Sequence, residues 1–317
     1  MQPLLLLILL QAIWTGSYVA MKVALTAMPV GLVLILRIGI ATLIFLLMGS
    51  FFRKNQFSRR DWLLILFVGI ANFSFSPLFQ LKSMELTQVI DVSVLVATEP
   101  VISALLASLI LRERLTWETT LVFIIAAFGV VLLSGVTFEK LLNPVTAPRL
   151  LGNLFFLSSL LLEGINSVAG RRLTQRHDPL SIVAWLMGIG FLSNLALHSG
   201  SLASIPASLK APTAWIAVGF LALFCSVVGY GGWYLLVKRY PVSQLALSLF
   251  LQPLFGIAYG VLLMGERVTT RTAIGALLVV GPLLIWVIRN LIRRTRQQTV
   301  TPLAQSVPGG GLEPPRF

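Results

Sequence analysis

One apolar run, broken by an acidic residue and a proline and then repeated once, constrains this chain more than any other feature. Residues 89–116 read V-I-D-V-S-V-L-V-A-T-E-P-V-I-S-A-L-L-A-S-L-I-L-R-E-R-L-T. The run is long enough to cross a bilayer, with Glu99 and Pro100 near its middle and an abrupt exit at Arg112, Glu113 and Arg114. Adding 153 to each number lands on residues 242–269, where Pro100, Leu109, Glu113, Arg114 and Thr116 become Pro253, Leu262, Glu266, Arg267 and Thr269. Apolar composition makes helices resemble one another, but it does not place a mid-run proline and an E-R-x-T exit at one fixed offset. Trp62 with Trp215 and Phe67 with Phe220 keep the same register. The pattern is that of an internal duplication.

A duplicated unit of such runs has few folds open to it, because only helices and closed barrels satisfy their backbones in lipid. Ten runs are visible: residues 3–28, 30–52, 62–81, 89–111, 117–138, 150–169, 180–198, 214–237, 242–264 and 272–292. Most hold about 20 residues, the length a helix needs to cross a ~30 Å hydrocarbon core. Composition agrees, with 57% hydrophobic and 11% charged residues, against roughly 25% charged in soluble domains. The expected fold is an all-α membrane protein of ten transmembrane helices in two inverted five-helix repeats, residues 3–138 and 150–292, followed by a basic, Pro- and Gly-rich tail at 293–317. An odd number of helices per repeat makes the second copy enter the membrane in the opposite sense, an arrangement suited to alternating access.

The formal charge of +13 does not point to nucleic acid, because the basic residues sit between apolar runs and not on a face interleaved with aromatics. With the N-terminus inside, sixteen lysines and arginines fall on inner segments and six on outer ones. The positive-inside rule therefore places both termini in the cytoplasm of a plasma (inner) membrane protein. The tail's basic start is expected to lie against anionic lipid. A single cysteine, Cys225, allows no intrachain disulfide and no thiolate metal site. No metal or cofactor is expected, and nothing in the sequence speaks for an oligomer.

Polar residues within the runs mark a candidate site. Asp91, Glu99 and Ser103 share a helical face with Leu95, and Gln244, Ser248, Gln252 and Gly256 repeat that face at the 153-residue offset. The outer part of each stripe, through Glu99 and Gln252, is expected to line a cavity. The inner part carries small residues that suit helix packing. Further candidates are Trp14 and Tyr18 in the first run, Asn72 in the third, Glu163 and Asn166 in the sixth and Tyr230 in the eighth. Glu99 lies about 15 Å deep, where an acidic residue costs roughly 2.5–3.5 kcal/mol. Arg37, about 10 Å into the second run, is the embedded cation able to approach it. Two roles follow for Glu99: half of a structural pair with Arg37, or a cavity carboxylate that alternates between a proton and a substrate or Arg37.

The segment A-I-W-T-G-S-Y-V-A-M-K at 12–22, Arg37, the Glu99-Pro100 pair and the exits R-E-R-L-T and G-E-R-V-T together resemble the EamA family of the drug/metabolite transporter superfamily, over residues 3–292. The resemblance implies secondary transport of small organic metabolites such as amino acids, through a central cavity lined by both repeats. Glu163 stands near the position that Trp14 takes in the first repeat, a departure that makes it a second coupling or substrate candidate. An intramembrane enzyme would need a nucleophile or metal cluster, and the two histidines, His177 and His198, sit near run ends with no H-E-x-x-H or G-x-S-x-G. The expected function is a metabolite exporter with proton coupling. The competing classes are an uncoupled carrier and a non-transporting membrane scaffold.

Orientation is testable with single cysteines at Ser58 and Thr146 in a Cys225-free background. On intact cells an impermeant thiol reagent is expected to label position 146 and not 58, and the opposite pattern would overturn the orientation.

Overall fold

The computed structural model describes residues 2–52, 55–87, 95–112 and 147–264, with single positions at 92, between 117 and 128 and between 270 and 285. Asp91, the exits at 113–116 and 265–269, the linker 139–146, most of the fifth and tenth expected runs and the tail lie outside the described residues. Among the described residues every regular element is helical. In chain order these are α1 (Gln2–Leu25), α2 (Val30–Leu47), α3 (Arg59–Ile70), α4 (Ser76–Leu86), α5 (Glu99–Leu111), α6 (Ala147–Thr174), α7 (Pro179–His198), α8 (Pro212–Phe220), α9 (Gly231–Arg239), α10 (Val242–Ala246) and α11 (Gln252–Met264). Six continuous helical stretches are long and apolar enough to cross a membrane, two of them formed by α3 with α4 and by α8 with α9. The starts are locally encoded. Ser58 and Asp61 form a capping box before α3, and Asp178 caps α7 ahead of Pro179.

Prolines accompany three of the places where the helices depart from α geometry. A proline has no N–H for the carbonyl four residues back, so that oxygen needs another donor. Pro100 would orphan the Val96 carbonyl, and the chain tightens to a 3-10 turn over Val96–Thr98 in which the Glu99 N–H takes it. Pro253 does the same to Leu249, and the Leu247–Leu251 3-10 segment gives that carbonyl the Gln252 N–H. Pro77 orphans Phe73, at the end of a stretch widened to a π-helix over Ala71–Phe75. Here the donor is foreign: Asn194 Nδ2 on α7 donates to Phe73 O at 2.9 Å. A second π-helix, Leu221–Tyr230, joins α8 to α9. Its Leu221 carbonyl accepts from Ser226 Oγ at 3.0 Å and its Cys225 carbonyl from Trp14 Nε1 at 3.2 Å.

The packing is turned outward relative to a soluble protein. Arg37, Asn72, Asn166, Asn194 and Gln252 are buried, while Leu47, Leu63, Phe67, Leu192 and Ile216 are each more than half exposed. Such an apolar exterior requires lipid around it. Inside, α7 packs between α2 and α3, and glycines set its approach to α3, as small residues do in membrane bundles. A Cβ on Gly190 would lie 3.0 Å from Phe73 O and 3.1 Å from Gly69 O and would also strike Phe73 Cβ; one on Gly69 would lie 3.0 Å from Leu186 O. Backbone oxygens in a helix cannot move aside.

Gly190→Ala should therefore destabilise the purified protein by about 1–3 kcal/mol, the cost of overpacking. Thermal unfolding in detergent reads this, and an unchanged melting temperature would show that α3 and α7 are not in close contact.

Candidate functional site

Where the interrupted helices meet, they line a cavity of about 50 Å³, room for roughly three to five waters. Trp14, Ser17 and Tyr18 line it from α1, Arg37 from α2 and Gln80 from α4. Glu99 enters at the head of α5, and Leu160, Glu163, Asn166 and Ser167 enter from α6. Tyr230, Trp233, Leu249 and Gln252 complete the wall. Of the residues proposed from the sequence, Trp14, Tyr18, Glu99, Glu163, Asn166, Tyr230, Gln252 and Arg37 thus converge on one space.

Glu163 is the most connected of the two carboxylates. Its Oε1 accepts from Tyr230 Oη at 2.7 Å and from Ser76 Oγ at 3.1 Å. Tyr230 closes one π-helix and Ser76 follows the other, so this one oxygen ties the two interrupted helices together. One helical turn on, Asn166 Oδ1 accepts from Tyr234 Oη at 2.7 Å and Ser167 Oγ from Trp233 Nε1 at 3.1 Å. Glu99 is half-buried and makes no hydrogen bond with a described residue. Across the cavity, Gln252 accepts from Tyr18 Oη at 3.1 Å and donates to Gln11 Oε1 at 3.0 Å. Gln11 is fully buried. Sequence reasoning passed over it, although a lone amide in an apolar run is a signal of this kind.

The pair expected between Glu99 and Arg37 is not formed. Arg37 is 4% exposed, its Nε donates to Ser226 Oγ at 3.1 Å, and it makes no ion pair with a described carboxylate. The brace explains the geometry: the guanidinium is drawn to the π-helix, where Ser226 Oγ itself bonds Leu221 O.

Three further placements differ from the sequence reading. Gln244 is exposed and does not reach the cavity. Ser248 is held between Leu245 O and Gln11 Nε2, at 2.7 and 3.0 Å, and it is Leu249 that lines the space. The cause is the 3-10 segment before Pro253. At three residues per turn, positions i and i+3 eclipse, so Leu249 and Gln252 share a face, and the i, i+4 stripe drawn for an α-helix slips by one residue. Asn72 lies behind the wall at 1% exposure, beside Glu163 and Tyr230. Ser103 and Ala107 are fully buried, as the packing half of the fourth run was expected to be; Gly164 approaches Ser103 there.

A profile of the EamA-like transporter family matches residues 1–135 and 150–288. The chain belongs to the EamA-like transporter family. It is therefore a multi-pass membrane protein of a transporter family. An uncharacterized transporter of Archaeoglobus fulgidus is 25% identical over 282 residues, 87% of this chain and 94% of its own. A protein of Streptantibioticus cattleyicolor named a probable terminal-alkyne amino-acid exporter is 26% identical over 207 residues, 65% of this chain and 67% of its own. A crystal structure superposes with a TM-score of 0.63 at 22% identity, covering 91% of this chain and 97% of that one, which is a likeness of fold.

For this EamA-like transporter, cysteine scanning separates the two registers in the segment before Pro253. In a Cys225-free background, Leu249→Cys should react with small water-soluble thiol reagents several-fold faster than Ser248→Cys. The reverse order would restore the α-helical register and place Ser248 in the cavity.

Proposed function

We propose that this chain is a secondary transporter that exports small organic metabolites such as amino acids by alternating access, coupled to the proton gradient through the cavity carboxylates. The observation that carries the reading is the cavity itself, a space among apolar helices lined by two carboxylates and one guanidinium. Residues of this type inside a membrane protein mark substrate and ion pathways. An alternating cycle would open this space to one side and then to the other. The name of the Streptantibioticus relative supports both the amino-acid class and the outward direction.

Ten spans in two inverted repeats, at 3–138 and 150–292 with a cytoplasmic tail at 293–317, form part of the same reading. Helix bounds support it: α3 starts at Arg59 and α8 at Pro212, and a 3-10 turn precedes both Glu99 and Gln252, each pair 153 positions apart. The π-helix Ala71–Phe75, shifted by the same 153, falls inside Leu221–Tyr230. Lysine and arginine placement supports an inner-membrane protein with cytoplasmic termini.

In this mechanism Glu163 links the two π-helices while it accepts from Tyr230 and Ser76. Glu99, unbonded on the neighbouring helix α5, is free to take a substrate cation or a proton. A proton on either carboxylate changes the charge of the cavity and the donors it can hold, and so biases which side opens. The symmetry-related position of Glu99 is already an amide, Gln252. Glu99→Gln should therefore insert normally.

In proteoliposomes, Glu99→Gln and Glu163→Gln should each lose gradient-driven accumulation by at least about tenfold, the scale of one charged interaction, while retaining substrate exchange. Unchanged accumulation with an unchanged pH dependence in both variants would remove these carboxylates as the coupling groups; a wild type that exchanges substrate without ever accumulating it would be an uncoupled carrier, and one without counterflow a scaffold.

A further inference from the structure

Arg37 is a buried cation with spare donors. One of its five N–H groups is used by Ser226, the Nη1 nitrogen is buried without a partner, and the residue lines the cavity. A charged group inside a membrane protein ordinarily pairs with an opposite charge or a carbonyl, and Arg37 has no described carboxylate within ion-pair distance. Glu163 makes no ion pair with Arg37; its Oε1 is held by Tyr230 and Ser76.

We propose that Arg37 is the receptor for a substrate carboxylate, so that the transporter takes amino-carboxylates with the carboxylate bound at Arg37 and the ammonium directed toward Glu99. The proposal rests on the transporter reading above and assigns the polarity of its site. A guanidinium fork matches a carboxylate in two parallel hydrogen bonds. The charge balance selects the rest of the ligand. With two carboxylates in the cavity, a dianion such as a phosphate ester is repelled, whereas a zwitterion satisfies Arg37 at one end and the unbonded Glu99 at the other. The same cavity carries an aromatic wall, Trp14 against Tyr230 and Trp233 at ring distances of 5.9 and 5.6 Å, which suits the apolar body and the ammonium group of such a ligand.

The test uses the full chain in detergent and, as probes, the common L-amino acids, each paired with its carboxamide, which keeps the ammonium and removes the carboxylate. Binding is read by concentration-dependent thermal shift. Amino acids that stabilise the wild type should bind roughly tenfold to hundredfold more tightly than their amides. Arg37→Gln should erase that preference by weakening the acids far more than the amides, and Ser226→Ala, which removes only the brace, should keep it. Equal binding of acids and amides by the wild type overturns the proposal even if Arg37→Gln fails to fold. So do retention of the preference in Arg37→Gln, its loss in Ser226→Ala, and a wild type that binds no amino acid. Liposome transport separates the two readings. Transport of amides or amines without a carboxylate preference keeps the transporter and removes the subsite. A carboxylate preference in binding with no transport of any probe keeps the subsite and removes the transporter.

Discussion

A carbonyl oxygen inside a membrane has no water to turn to, and that constraint organises this molecule. Pro77, Pro100 and Pro253 each withdraw a donor from a helix. Two of the resulting orphans are satisfied locally, by tightening to a 3-10 turn at Val96–Thr98 and Leu247–Leu251. The third, Phe73 O, takes its donor from Asn194 on another helix. That bond ties α7 to the π-helix of the α3–α4 stretch. At the other π-helix Arg37 on α2 reaches Ser226 and Trp14 on α1 reaches Cys225 O. Gly229 permits this last contact, since a Cβ there would lie 2.7 Å from Trp14 Nε1.

The site grows from the same breaks. A π-helix or a 3-10 turn rotates every later side chain relative to a continuous α-helix, and the cavity lies at these discontinuities. Tyr230 is the last residue of a π-helix, Ser76 the first after one, and Glu99 and Gln252 are each the first residue after a 3-10 turn. Helices so interrupted bring polar groups to the middle of the bundle while their outer faces remain apolar. Glu163 then acts as the knot, because its Oε1 is shared by Tyr230 and Ser76. Removing it would separate the two interrupted helices at the point where each is weakest.

Much of this was legible before any coordinates. Hydrophobic runs of bilayer length, an acidic residue at mid-depth and a proline beside it are local properties, and Trp14, Tyr18, Glu99, Glu163, Asn166, Tyr230 and Gln252 follow from asking which polar or aromatic residues a membrane would not tolerate on its outside. Gln11 answers the same question and was still missed, because it stands alone without a repeat partner or neighbouring polar residue. Gln244 and Ser248 failed for a different reason. Both were placed by an α-helical period that Pro253 had already broken, and the proline itself was the available warning.

The sequence by itself determined the class of the protein, the helical state of its runs and the chemistry concentrated at mid-membrane, because each follows from short stretches of chain meeting an apolar solvent. Tertiary structure alone decided the partners. Arg37 bonds Ser226 and not Glu99, Asn194 supplies the donor that Pro77 removed, and Glu163 binds across to Tyr230. These pairs are separated by 189, 121 and 67 positions. Which side chains meet over such separations depends on how closely whole helices approach, set here by Gly69 and Gly190 between α3 and α7. No local pattern carries that distance.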